Sequence, residues 1–173
     1  MKPNGKLYLD FKRKQNGRTY VARQFYQLPL QVLPANHIEA DGSVFVYLLN
    51  PSGGMLENDV FDYRVRLEGG ASAVITTPSS NKIYRSHKFA ARQEINIEVG
   101  SGCKLEYLPE HNMPYAESVF SQKNIYRVHR GGMLFAWDTV IPGRLSRSEC
   151  FDFTQYCSDT QIYYDDRLLL RDA

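Results

Sequence analysis

Apolar and polar residues alternate along much of this chain, as in VFDYRVRL, EINIEV and KLEYL, and a period of two puts one set of side chains on one face of a strand. The pattern predicts strands over residues 6–11, 19–24, 43–49, 60–67, 72–77, 94–99, 104–108, 125–128, 133–138, 149–153 and 161–164. Turn formers separate them: Asn16-Gly17, Asp41-Gly42, Gly53-Gly54, Gly69-Gly70, Gly100-Ser101-Gly102, Gly131-Gly132 and Pro142-Gly143. Asp165-Asp166 reads as a hairpin tip between QIYY and RLLL. Residues 87–93 are expected to form a helical turn, and no long amphipathic helix is visible.

The expected fold is therefore mainly β, a sandwich, barrel or solenoid of short strands. One internal echo refines it. EGGASAVITTP over VGSGCKLEYLP superposes Gly69 on Gly100, Val74 on Leu105 and Pro78 on Pro109 at a constant shift of 31, which suggests stacked hairpins in a repetitive architecture. The 12 Tyr and 9 Phe suit such half-buried strand faces.

With 173 residues the chain is expected to form one domain able to bury a core. A net charge of +2 gives no electrostatic reason to expect nucleic acid or an anionic membrane as partner. There is no apolar run long enough to span a bilayer, and MKPNGKLYLDF lacks a signal-peptide core, so the expected location is cytoplasmic. Cys103, Cys150 and Cys157 form no CxxC pair, and the four histidines have no two-ligand spacing, so no metal site is expected.

The loop NPSGGMLEND invites a test for phosphate chemistry. A phosphate loop needs Gly-Lys-Ser/Thr opening a helix. Here Glu57 and Asp59 follow instead, and then an alternating strand, so the glycines are expected to supply positive φ in a strand-to-strand connection. No GxSxG or activated cysteine is present, and no catalytic residue is assigned. The tyrosine-rich strands and Trp137 leave one alternative, a β-rich carbohydrate- or metabolite-binding module.

Taken in order, LPLQV, LLNPSGGMLENDVFDYRV, ASAVITTPSSNKIYRS, EINIEVGSGCKLEYLPEHNMPY, PGRLSRSECFDF and IYYDDRLLLRD resemble the urease accessory protein UreD family, called UreH in some organisms. The resemblance implies a two-layered or helicoidal β fold and a non-enzymatic part in urease maturation. Partners implied are the urease apoprotein, UreF and the GTPase UreG. Nickel would be handled transiently along an internal path, with no cofactor bound stably. Matching signature positions are Gly53, Gly54 and Asp59; Thr76, Thr77, Lys82 and Tyr84; Pro109 and Pro114; and Gly143, Arg144 and Glu149. Physically, the threonines suit a strand edge, the prolines stiffen an exposed loop, and Arg144 with Glu149 suits an ion pair or a partner contact. Asn58 and Ser148 stand where the family usually has glycine, and the family pattern continues for roughly another third beyond the segment matched at residues 165–172.

Overall fold

Three faces of a coil take the strands in rotation. The computed structural model describes residues 2–173. β1 (Gly5–Arg13) and β2 (Thr19–Gln27) form an antiparallel hairpin, and β3 (Gln31–Val32) pairs antiparallel with β4 (Val44–Leu49). The chain then winds through β5 (Gly54–Met55), β6 (Val60–Leu67), β7 (Ser72–Thr76), β8 (Asn81–Ile83), β9 (Ala91–Val99), β10 (Lys104–Leu108), β11 (Asn112–Pro114), β12 (Val119–Val128) and β13 (Met133–Ala136). A 3-10 turn at Leu145–Arg147 leads to β14 (Gln155–Tyr164), which folds back into β15 (Arg167–Asp172).

The sheets have the orders β15-β14-β12-β9-β6-β1-β2, β13-β10-β7-β4-β3 and β11-β8-β5. Successive turns of the chain stack in parallel, β6 on β9 on β12 on β14, so this is a solenoid with antiparallel strands at its ends. Alternation works as the pattern predicts. Phe61, Val65 and Leu67 of β6 and Ile95, Ile97 and Val99 of β9 point inward against Val46, Ile75 and Leu105 of the second sheet. Burying one such side chain contributes about 1.5–3 kcal/mol.

The internal echo is real but its register differs. Strand pairing sets Leu67 beside Val99 and Ala73 beside Leu105, a shift of 32, and places Val74 beside Glu106. A one-residue slip would turn the buried set to solvent, and it is buried Ala73, not Val74, that must match buried Leu105. The shift returns to 31 at Asn81 beside Asn112, after the corner that holds Pro78 and Pro109. These units are not hairpins: β6 and β7 lie in different sheets, joined by a glycine corner.

Other expectations change too. Residues 149–153 form no strand, because Phe151 has φ 61° and its N–H bonds back to Pro142 O at 2.7 Å. Residues 87–93 form no helical turn. The N–H groups of His87, Lys88 and Phe89 all donate to the Glu57 carboxylate (2.7–3.1 Å), and β9 starts at Ala91. Asp165 and Asp166, with φ 43° and 61°, do form the tip of the β14–β15 hairpin.

Candidate functional site

The coil interior is apolar where β1, β6 and β9 face β4 and β7, and turns polar toward β12 and β14. On β12 the inward alternation brings Gln122 and Asn124, both almost fully buried, and on β14 it brings Ser158 and Thr160. Asn81 and Asn112 enter from the third sheet and Asp138 from the end of β13. These groups line or adjoin a cavity of about 70 Å³.

They are bonded as one network. Asn81 Nδ2 donates to Asn112 Oδ1 at 3.0 Å. Asn112 Nδ2, which has two hydrogens, lies within bonding distance of Tyr156 OH (3.0 Å), Gln122 Oε1 (3.3 Å) and Asp138 Oδ1 (3.4 Å). Asp138 Oδ2 accepts from Gln122 Nε2, Ser158 Oγ (3.1 Å) and Asn124 Nδ2 (3.4 Å). Asn124 Nδ2 also reaches Thr160 Oγ1 at 3.0 Å, while its Oδ1, though buried, has no partner among the described residues. An orphan acceptor in a polar hollow is suited to a water or a passing cation.

The electrostatics follow from burial. Although Asp138 as a residue is largely exposed, its carboxylate dips into the network, and desolvation there raises its pKa above the ordinary aspartate value; the bonds from Ser158, Asn124 and Gln122 pull it partly back. Burial also raises the phenols of Tyr63, Tyr107, Tyr126 and Tyr156, so these stay neutral. Asp138 is the lone carboxylate in the network. Among the described residues no group of three or more His, Cys, Asp or Glu side chains could hold a metal ion.

The positions singled out in the sequence fall into two groups around this interior, with one outlier. Gly53, Gly54, Thr77 and Pro109 line the cavity itself. Thr77 Oγ1 accepts from Glu110 N–H at 2.9 Å, Thr76 Oγ1 donates to Leu108 O at 2.6 Å, and Pro109 O accepts from the Trp137 indole N–H at 2.7 Å. Trp137 is thus tied down by its polar edge and packs edge-on against Phe135. Gly53, at φ +80°, has the expected left-handed backbone, but Gly54 does not; it is needed because a Cβ there would run into the Lys82 backbone carbonyl oxygen, with Tyr84 Cε2 at 2.8 Å and Lys82 Cβ at 2.9 Å also in the way. Lys82 and Tyr84 are in or next to β8, which pairs with β5 at Gly54.

The second group is a corner. Tyr84 meets Tyr115 edge-to-face at 5.2 Å, Arg144 stacks on Tyr115 at 3.9 Å, and Arg144 forks onto both oxygens of Glu149, with Nε to Oε2 at 2.8 Å. Pro114 is buried at the end of β11, not in an exposed loop, and Gly143 lies against its carbonyl. Asp59 stands apart, accepting from Leu56 N–H and Asn4 Nδ2 at 2.7 Å each. The polar network was missed in the sequence. Its trace is the alternation of polar side chains, Gln122 with Asn124 and Ser158 with Thr160, which resembles an ordinary solvent face until the partner sheet is in place.

Fold and site together define a parallel β-solenoid with a polar interior at one end. Residues 3–173 match the family model described as UreD urease accessory protein. The chain belongs to that family. It is 32% identical to the urease accessory protein UreD of Cenarchaeum symbiosum (strain A) over 161 residues, covering 91% of this chain and 56% of the relative. With the UreD of Lachnoclostridium phytofermentans identity is 30% over 168 residues (97% and 61%), and with that of Herpetosiphon aurantiacus 35% over 170 residues (98% and 58%). The chain thus spans 56–61% of the length of these curated relatives. No helix among the described residues is long and apolar enough to cross a membrane.

Proposed function

We propose that this chain is a non-catalytic scaffold in urease maturation. It binds the urease apoprotein and, with UreF and the GTPase UreG, supports nickel delivery to the urease active site in the cytoplasm. The observation that carries this is the family match across residues 3–173. The polar interior supports the second half of it. A hollow lined by neutral amides, hydroxyls and two carboxylates, Glu110 and Asp138, offers oxygen ligands to a cation in transit without a cluster of three or more acidic, His or Cys groups that would retain it. Nickel is here a cargo, and no cofactor is held. GTP hydrolysis belongs to the separate GTPase, in keeping with a Gly53-Gly54 loop that serves packing.

The test is genetic and biochemical. Deleting the gene is expected to abolish urease activation at limiting nickel while urease subunits are still synthesised, and the tagged protein is expected to co-purify with them. Fully nickel-loaded, active urease in the deletion strain would overturn the proposal.

A further inference from the structure

Between Asp10 and Glu39 the sequence carries five basic residues, Lys12, Arg13, Lys14, Arg18 and Arg23, and no acidic one, in a chain whose net charge is only +2. The fold collects all five on the β1–β2 hairpin, where each is exposed. Arg13 is used locally, donating to Gly17 O at 2.7 Å, and Lys12 faces Glu68 at 3.5 Å. Lys14, Arg18 and Arg23 have no ion-pair partner among the described residues, even though Arg23 stands opposite Asp10 in the strand register.

Exposed aromatic rings accompany these charges. Lys14 Nζ lies over the Tyr20 ring at 5.3 Å, Phe25 packs on Tyr8 at 5.4 Å, and Arg64 covers Tyr8 at 4.8 Å. Phe25 is 45% exposed and Tyr20 37%. Arginine and aromatic residues together characterise the centres of protein interfaces, whereas a merely solvated face is typically rich in lysine and glutamate. β2 is also the last strand of its sheet, nine residues long, and an edge of that length offers unpaired backbone groups to an incoming chain.

We propose that the β1–β2 arm is a docking surface for an extended, acidic segment of a partner protein, which adds to the free edge of β2 as a further strand. Its carboxylates pair with Lys14, Arg18 and Arg23, and its apolar side chains pack on Tyr20 and Phe25. Charge selects this occupant. A second copy of β2 would bring Arg23 and its neighbours against themselves, and like charges across a strand pair repel. The proposal rests on the maturation role only for the source of the segment; the surface stands without it.

The test uses the full chain and a labelled peptide of alternating glutamate and valine, with a lysine-for-glutamate peptide as control, followed by fluorescence anisotropy. The acidic peptide is expected to bind saturably, the control not to bind, and affinity to fall steeply as salt screens the charges. The Lys14→Glu, Arg18→Glu variant is expected to weaken binding at least about tenfold, the scale of losing close charge pairs across an interface. Because both positions are exposed, its melting temperature should be unchanged, which separates lost docking from lost folding. Equal binding of the two peptides, or binding indifferent to the charge reversal, overturns the proposal, and so does a single-stranded oligonucleotide that competes at lower concentration than the peptide. The titration contains neither urease nor nickel, so failure here leaves the maturation role standing, and failure of that role leaves this result standing.

Discussion

Asn81 and Asn112 occupy equivalent places on successive turns of the solenoid, and the side-chain amide of Asn81 donates to the side-chain carbonyl of Asn112 at 3.0 Å. Stacked amides of this kind tie one turn to the next from inside the coil. Because Asn112 also bonds toward Gln122, Asp138 and Tyr156, it joins the third sheet to the first.

Replacing Asn112 by leucine therefore strands polar groups that cannot reach water. The expected loss is about 2–4 kcal/mol, the range for leaving more than one buried polar group unpaired. Urea denaturation with an unchanged slope would measure it, and a loss below about 0.5 kcal/mol, typical of surface changes, would show the network to be solvated.

Asp138 gives the network a pH signature. Its native pKa is raised by desolvation, so the native state keeps this proton to higher pH than the unfolded chain does. Stability accordingly falls as pH rises from the ordinary aspartate pKa through the raised native value. Asp138→Asn removes that slope: the variant should be more stable at neutral pH, with the two curves converging below about pH 4, where the unfolded aspartate is protonated as well. Parallel curves for the two proteins would show that Asp138 is not the titrating group.

Gly54 is a packing position. Alanine there drives its Cβ into the Lys82 backbone carbonyl, one turn further along the solenoid, as well as against the Tyr84 ring, and overpacking against backbone is expected to reach the top of the usual range of about 1–3 kcal/mol. Gly53→Ala is expected to cost about 1–2 kcal/mol by a different route, the left-handed backbone at φ +80°. Thermal melts of the two variants would separate them: Gly54→Ala should lose more than Gly53→Ala and should not be rescued by Tyr84→Ala, because the atom in the way is the Lys82 backbone oxygen; rescue by Tyr84→Ala would contradict this.

Glu149, paired with Arg144, titrates with the opposite sign to Asp138. The hydrogen-bonded guanidinium holds the Glu149 carboxyl below its ordinary pKa, so the pair stabilises the fold above the ordinary glutamate pKa and that contribution is lost as pH falls through the native value. Glu149→Gln should lower the melting temperature at neutral pH, with the difference shrinking in acid. Arg144→Lys should not substitute for arginine, since an ammonium cannot both fork onto Glu149 and stack on Tyr115. A full melting temperature in the lysine variant would contradict this.

Strands with a clean period were legible because the pattern is local. The expected ranges 60–67 and 104–108 coincide with β6 and β10, and the Asp165-Asp166 tip was readable from residues that tolerate positive φ. Elements such as β5 and β8 were not, because two or three residues have no period; they are strands only through the neighbours stacked on them. The 149–153 range failed for a related reason. Its composition suits a strand, but Glu149 is held back by Arg144 and Phe151 turns into the left-handed region.

By itself the sequence determined the β class, the repeat with its glycine corners, and membership of the UreD urease accessory family, since alternation, turn chemistry and ordered motifs are all properties of short segments. Tertiary structure alone decided that successive units stack in parallel at a shift of 32, and that Gln122, Asn124 and Asp138 face inward. Register depends on which buried side chains coincide between turns, and a polar residue counts as interior only once another sheet has closed over it.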